Sequence, residues 1–132
     1  MFDITINELK NSGLINESDI VIACMDSPSS AGLMFGAIGA AVAQSMAKRH
    51  VMAVNEHYIR IFDVAKNGAY EGSYFGFDRN EITKARMSGV FGSYTIILFV
   101  SGKKISFSTQ NKFSRLKQKP QIMNLKALFK TF

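Results

Sequence analysis

The stretch Gly92-Ser-Tyr-Thr-Ile-Ile-Leu-Phe-Val-Ser-Gly-Lys-Lys-Ile-Ser-Phe-Ser-Thr109 decides the fold. Tyr94 to Val100 is a run rich in β-branched and aromatic side chains, as expected of a strand covered on both faces. Ser101-Gly102-Lys103 reads as a turn, because Gly102 accepts positive φ without a Cβ clash. The return strand changes character: Lys104, Ser106 and Ser108 alternate with Ile105 and Phe107, so one face is apolar and the other polar. A covered strand beside a half-covered one belongs to a sheet that is closed or packed on one side.

Outward from this hairpin, the 132 residues are the size of one domain, and 47% apolar content with eleven Phe excludes a disordered chain. Cys24 is the only cysteine, so no intramolecular disulfide and no multi-cysteine metal site can form; a reducing, cytoplasmic setting is expected. The first sixteen residues carry Asp3, Glu8 and Lys10 and lack the apolar core of a secretory signal. Charge is uneven. Residues 1–100 hold eight Lys/Arg against ten Asp/Glu, whereas residues 101–132 hold eight Lys/Arg and no acid.

Along the chain, Thr5-Ile-Asn-Glu8 matches a capping box, predicting a short helix from Thr5 stopped at Gly13, with Leu14 and Ile15 docking it. Ser18 to Met25 predicts the first strand. Ala31 to Ala47 is free of charge and predicts an apolar helix, about 26 Å long and short of a bilayer core. Gly32, Gly36, Gly39, Ala40 and Ala43 form a small-residue stripe on it, a candidate interaction surface. That stripe suits packing on this protein's own sheet, pairing with another copy, or insertion at a membrane interface. Strands follow at 51–54, 58–64, 70–77 and 82–87, punctuated by turns at Asn55-Glu-His57, Lys66-Asn-Gly68 and Asp78-Arg-Asn80. Asn111 to Lys119 reads as a basic loop. Beyond Pro120, the spacing of Ile122, Leu125, Leu128, Phe129 and Phe132 predicts an amphipathic, docked helix.

Seven hairpin-joined strands and a C-terminal helix resemble the pleckstrin-homology (PH) order, and the chain is similar to small bacterial PH-like domains. The residues that carry this are Ala53-Val-Asn-Glu-His-Tyr-Ile59, which keeps the family's turn Asn but not its Thr and Arg, and Phe77-Asp-Arg-Asn-Glu-Ile-Thr-Lys-Ala85 with Val90-Phe-Gly-Ser-Tyr94. The resemblance implies a mainly β, seven-stranded bent sheet or partly open barrel, capped by the C-terminal helix. The short N-terminal helix at 1–15 and the apolar helix at 31–47 are additions to one domain. It also implies a scaffold for protein contact or self-association. Lipid-binding relatives place basic residues in the loop between the first two strands; here Asp26 to Arg49 holds an acid, a Ser-Pro loop and the apolar helix, with basic residues only at its far end, and that activity is not carried over.

No constellation points to catalysis. Nucleophilic chemistry needs a base beside Ser or Cys, and the only histidines, His50 and His57, flank one predicted strand with no partner fixed by spacing. Glu71, Asp78 and Glu81 are scattered near turns. Gly32 to Gly39 lacks the Lys-Ser/Thr of a P-loop, and no zinc-ligand spacing occurs, so neither cofactor nor metal is expected. Lys103, Lys104, Lys112, Arg115, Lys117 and Lys119 form a candidate anion-binding patch, in which Phe107 alternates toward the core and leaves Phe113 alone to stack on a base. The expectation is a non-enzymatic binding module, cytoplasmic with peripheral membrane association in reserve. Its partner is a protein or a second copy. The alternative is an anionic membrane surface or, behind it, nucleic acid; a small-molecule substrate is not expected.

Overall fold

The computed structural model describes residues 2–27, 48–65, 67, 69–113 and 116–132. The expected helix at 31–47, with Gly32, Gly36, Gly39, Ala40 and Ala43, lies outside the described residues, as does Arg115. The elements are α1 (Phe2–Asn11), β1 (Ile20–Asp26), β2 (Arg49–Val54), β3 (Tyr58–Val64), β4 (Tyr70–Asp78), a 3₁₀ turn (Arg79–Glu81), β5 (Ile82–Val90), β6 (Ser93–Val100), β7 (Lys103–Gln110), β8 (Lys112–Phe113), β9 (Leu116–Lys117) and α2 (Lys119–Phe129). The fold is mainly β.

The seven long strands form one antiparallel sheet in the order β4-β3-β2-β1-β7-β6-β5, so the sheet is open and β4 and β5 are its edges. Every neighbour is a sequence neighbour except β1 and β7, which share only Met25↔Ser108 and Asp26↔Phe107. Turn chemistry fixes the hairpins. Asn55 Oδ1 accepts from the N–H groups of His57 and Tyr58, closing β2–β3. Ser101 and Gly102 turn β6 into β7 at φ 51° and 79°. At Gly72 (φ 85°) β4 bulges, and the register slips between Phe62 and Val64. At Gly76 a Cβ would stand 3.0 Å from the Ile59 carbonyl oxygen, which explains the missing side chain.

Alternation along β1–β3 feeds two cores. Ile22, Cys24, Met52, Val54, Ile59 and Ile61 join Ile96, Leu98, Phe107 and the α2 residues Ile122, Leu125 and Phe129 on one face. Val21, Ala23, Val51, Ala53, Phe62 and Val64 join Leu9 and Ile15 on the other, with Phe113 and Leu116 of the β8–β9 hairpin packed against them. The doubly covered strands are therefore β1 and β2. In β6, expected to be covered on both faces, Ile96, Leu98 and Val100 are buried but Thr95, Ile97 and Phe99 remain half-exposed. Among the described residues, no layer covers its outer face as α1 covers that of β1–β3.

Two further expectations are corrected. The first helix begins at Phe2, so Thr5 lies inside it, buried against the second core, and does not cap it. Its end is as expected: Gly13 takes φ 79°, and the N–H groups of Leu14 and Ile15 return to the Leu9 carbonyl. The stretch 111–119, expected as a loop, contains β8 and β9, with Lys112↔Lys117 and Phe113↔Leu116 paired. The C-terminal helix forms as expected, and its end is pinned by Arg79, whose guanidinium lies 4.0 Å from the Phe132 ring centroid and donates to the Thr131 carbonyl.

Gln118, which precedes α2, closes the gap left where β1 and β7 part. Its Oε1 accepts from the Ala23 N–H at 2.8 Å, and its Nε2 reaches the Gln110 carbonyl (2.8 Å), the Thr109 hydroxyl (2.7 Å) and the Ala23 carbonyl (3.0 Å). The Thr109 hydroxyl itself donates to the Ala23 carbonyl at 2.7 Å. A side-chain amide thus does for β1 what a neighbouring peptide group does elsewhere in the sheet.

Candidate binding cleft

A cleft of about 420 Å³ opens between edge strand β5 and α2. Four consecutive β5 residues, Ala85 to Ser88, form one wall, with Ile97 of β6 behind them, and Phe129, Lys126 and Lys130 line it from α2. Arg86, opposite Ile97 in the β5–β6 register, directs its side chain to the sheet face away from α2, with its guanidinium 5.8 Å from the Phe99 ring centroid. Lys126 and Lys130 sit one turn apart at the C-terminal end of α2, where the helix dipole favours cations. No acid lines the cleft.

This local charge belongs to a larger division. Residues 82–132, which form β5–β9 and α2, contain ten Lys/Arg and no Asp or Glu; residues 1–81 contain six Lys/Arg against ten Asp/Glu. The break falls at the 3₁₀ turn between the two edge strands. One half of the sheet is acidic and the other wholly basic.

The candidate anion patch is not one surface. Lys103 and Lys104 lie at the start of β7 and Lys112 just beyond its end, about 24 Å away at strand rise. Lys112 and Lys117 face each other across the small hairpin, on the side opposite Phe113 and Leu116, and Lys119 follows. Arg86, Lys126 and Lys130 were not among the sequence candidates; Lys126 and Lys130 reach the cleft from α2, and Arg86 stands at the same strand edge on the other face.

Among the described residues, a buried polar cluster surrounds His50, which is 3% exposed. Its Nε2 lies 2.7 Å from Asp26 Oδ1 and its Nδ1 3.1 Å from Asp63 Oδ1, while the Phe107 ring stands edge-on at 5.6 Å. Carboxylates only accept, so both contacts are hydrogen bonds when both ring nitrogens carry protons. Burial works against the Asp26 carboxylate, but the His50 hydrogen bond and charge, together with Lys48, outweigh it and hold its pKa below the ordinary value. Ser73 donates to Asp63 Oδ2 at 2.9 Å and not to the imidazole. Cys24, opposite His50 in the β1–β2 register, has its thiol pKa pushed up, first by burial and then by Asp26. Both ring nitrogens of His50 face carboxylates, and the Ser73 hydroxyl is turned to Asp63 and not to the imidazole. The cluster ties β1, β2 and β3 together. His57 is exposed in the β2–β3 turn, far in role from His50.

Among the described residues, no group of three or more His, Cys, Asp or Glu is placed to hold a metal ion, and no helix is long and apolar enough to cross a membrane. No protein-family model matches the chain, and no curated protein is similar to it.

Proposed function

We propose that the chain is a non-enzymatic binding module of PH-like architecture whose protein partner docks between β5 and α2. The PH-like reading is supported by seven strands in one sheet, consecutive along the chain but for the β1–β7 join, and a C-terminal helix on the shared core. The observation that carries the function is the cleft itself: apolar Met87 and Phe129, two helix lysines and no acid, beside a strand edge that carries Arg86 on its other face and has no neighbour among the described residues. An extended segment of acidic and apolar residues suits it. Its backbone pairs with β5, its apolar side chains reach Met87 and Phe129 on the α2 face, where Lys126 and Lys130 attract acid, and a carboxylate on the other face meets Arg86. The non-enzymatic part rests on His50 having carboxylates, and no nucleophile, hydrogen-bonded to its ring nitrogens, and a cytoplasmic setting on the single, buried Cys24.

Fluorescence anisotropy with a labelled peptide alternating Glu and Leu tests this, with a Lys-Leu peptide as control. The Glu peptide should bind, and Arg86→Glu or Lys130→Glu should each weaken it by about tenfold or more. Equal binding of both peptides, or none by the acidic one, removes the reading.

A second reading, docking on an anionic membrane, is favoured by one feature. At the tip of the β5–β6 hairpin Val90 is 69% exposed and Phe91 fully so, and the N–H of Asn111, next to Lys112, bonds the Gly92 carbonyl. An apolar tip beside lysines suits a lipid interface.

A further inference from the structure

The two free edges of the sheet match each other. β4 and β5 are both nine residues long, and among the described residues each lacks a neighbour on one side. β4 carries Glu71 and Asp78 with no cation, and residues 71–76 are exposed, including Tyr74 at 47% and Phe75 at 41%. β5 carries Lys84 and Arg86 with no acid and borders the basic, apolar-floored cleft. A long, aromatic edge without Lys or Pro is the kind that natural sheets normally protect, and in β4 only the bulge at Gly72 interrupts it. Here no described element covers it.

We propose that the occupant of the β5–α2 cleft is β4 of a second copy of this chain, added as a further strand beside β5. The inference rests on the cleft's being a protein-binding site and names what fills it. Charge decides the partner. Pairing β4 with β4, or β5 with β5, brings like charges together along the new ladder, whereas β4 with β5 sets acids against cations. Exposed aromatic side chains from β4 then have apolar Met87 and Phe129 to cover. Such an interface is head-to-tail. An open assembly always keeps one free β4 edge and one free β5 edge, so it continues until it closes a ring or grows as a fibre.

Light scattering on the full chain, across concentration and salt, is the test. The wild type gives a mass above the 14.6 kDa of one chain, falling with dilution and with added salt. Glu71→Lys/Asp78→Lys reverses β4, and Arg86→Glu/Lys126→Glu reverses the cleft; all four side chains are exposed, and circular dichroism checks that each variant remains folded. Each variant alone associates at least tenfold more weakly. Mixed together they reassemble, because the basic β4 of one fits the acidic cleft of the other. A monomeric wild type that still binds the Glu-Leu peptide overturns self-pairing and leaves the cleft reading standing. A monomer that binds no peptide overturns both. Assembly indifferent to both reversals, or reversals that break it without rescue on mixing, also refutes the β4-to-β5 contact.

Discussion

Replacing Gln118 by Leu removes the amide that bridges β1 and β7 while keeping the side chain's bulk. The Ala23 N–H then loses its acceptor in a site where Gln118 is 2% exposed, and the Gln110 carbonyl loses its donor. The Ala23 carbonyl is spared, because the Thr109 hydroxyl still reaches it. An orphaned buried amide costs about 1–3 kcal/mol, and the half-buried carbonyl adds about 1, so Gln118→Leu should destabilise the fold by about 2–4 kcal/mol. Gln118→Glu separates shape from chemistry. One carboxylate oxygen still accepts from Ala23, but the other meets two carbonyls and a hydroxyl with no proton to give. The folded state therefore favours the protonated carboxyl and raises its pKa. Stability held by that proton is present at acid pH and lost as pH rises through the raised value. The Glu variant should be as weak as Leu near neutrality and recover toward pH 4. Urea denaturation followed by circular dichroism, with amide exchange at Ala23, measures all three chains. Leu and Glu variants within about 0.5 kcal/mol of wild type would refute the bridging role.

Several other perturbations have defined outcomes. Leu125→Ala empties a fully buried position beneath α2 and should cost about 2–5 kcal/mol in thermal or urea unfolding, against about 0.5 or less for the exposed Met123→Ala. Asp26, half-exposed, has a folded pKa below its unfolded value, so its stabilisation is present above about pH 4 and lost as pH falls through the lower value. Asp26→Asn should thus cost on the order of 1 kcal/mol after solvent screening at pH 7, and the gap should close at acid pH in a urea series. Phe91 holds φ 56° in a two-residue turn that suits Asn, so Phe91→Asn should raise stability by about 1 kcal/mol in the same assay. Because the chain has no Trp, Phe91→Trp gives a single fluorophore at the tip; a blue shift with phosphatidylserine vesicles supports membrane docking, and unchanged emission counts against it.

Strands were legible in the sequence because their alternation and turn residues are local. Asn55, Gly13 and Gly102 each do what their side chains, or lack of them, dictate. Which strand is covered twice was not, because that depends on what another segment lays on top. Val21 and Ala23 receive α1 and the small hairpin, while the equally apolar Ile97 and Phe99 receive neither. The hairpin itself escaped notice since two-residue strands carry no period, and Lys112, Lys117 and Gln118 look like any polar linker. The cleft was hidden for a related reason. Arg86 lies some forty residues from Lys126 and Lys130, and no pattern in either segment announces the other. His50 was visible as a histidine, but its two carboxylates come from β1 and β3 and meet it only through strand register.

The seam between β1 and β7 also sets an order of events during synthesis. β1 can pair with β2 as soon as both are made, yet its other edge waits for Ser108 and Phe107, and for Gln118 beyond them. At ordinary rates of translation that interval is on the order of ten seconds, and throughout it the nascent four-stranded half shows two unpaired edges instead of one. An incomplete chain is therefore stickier than a finished one. Once β7 and Gln118 have been made, that edge changes from a template for aggregation into the middle of a sheet.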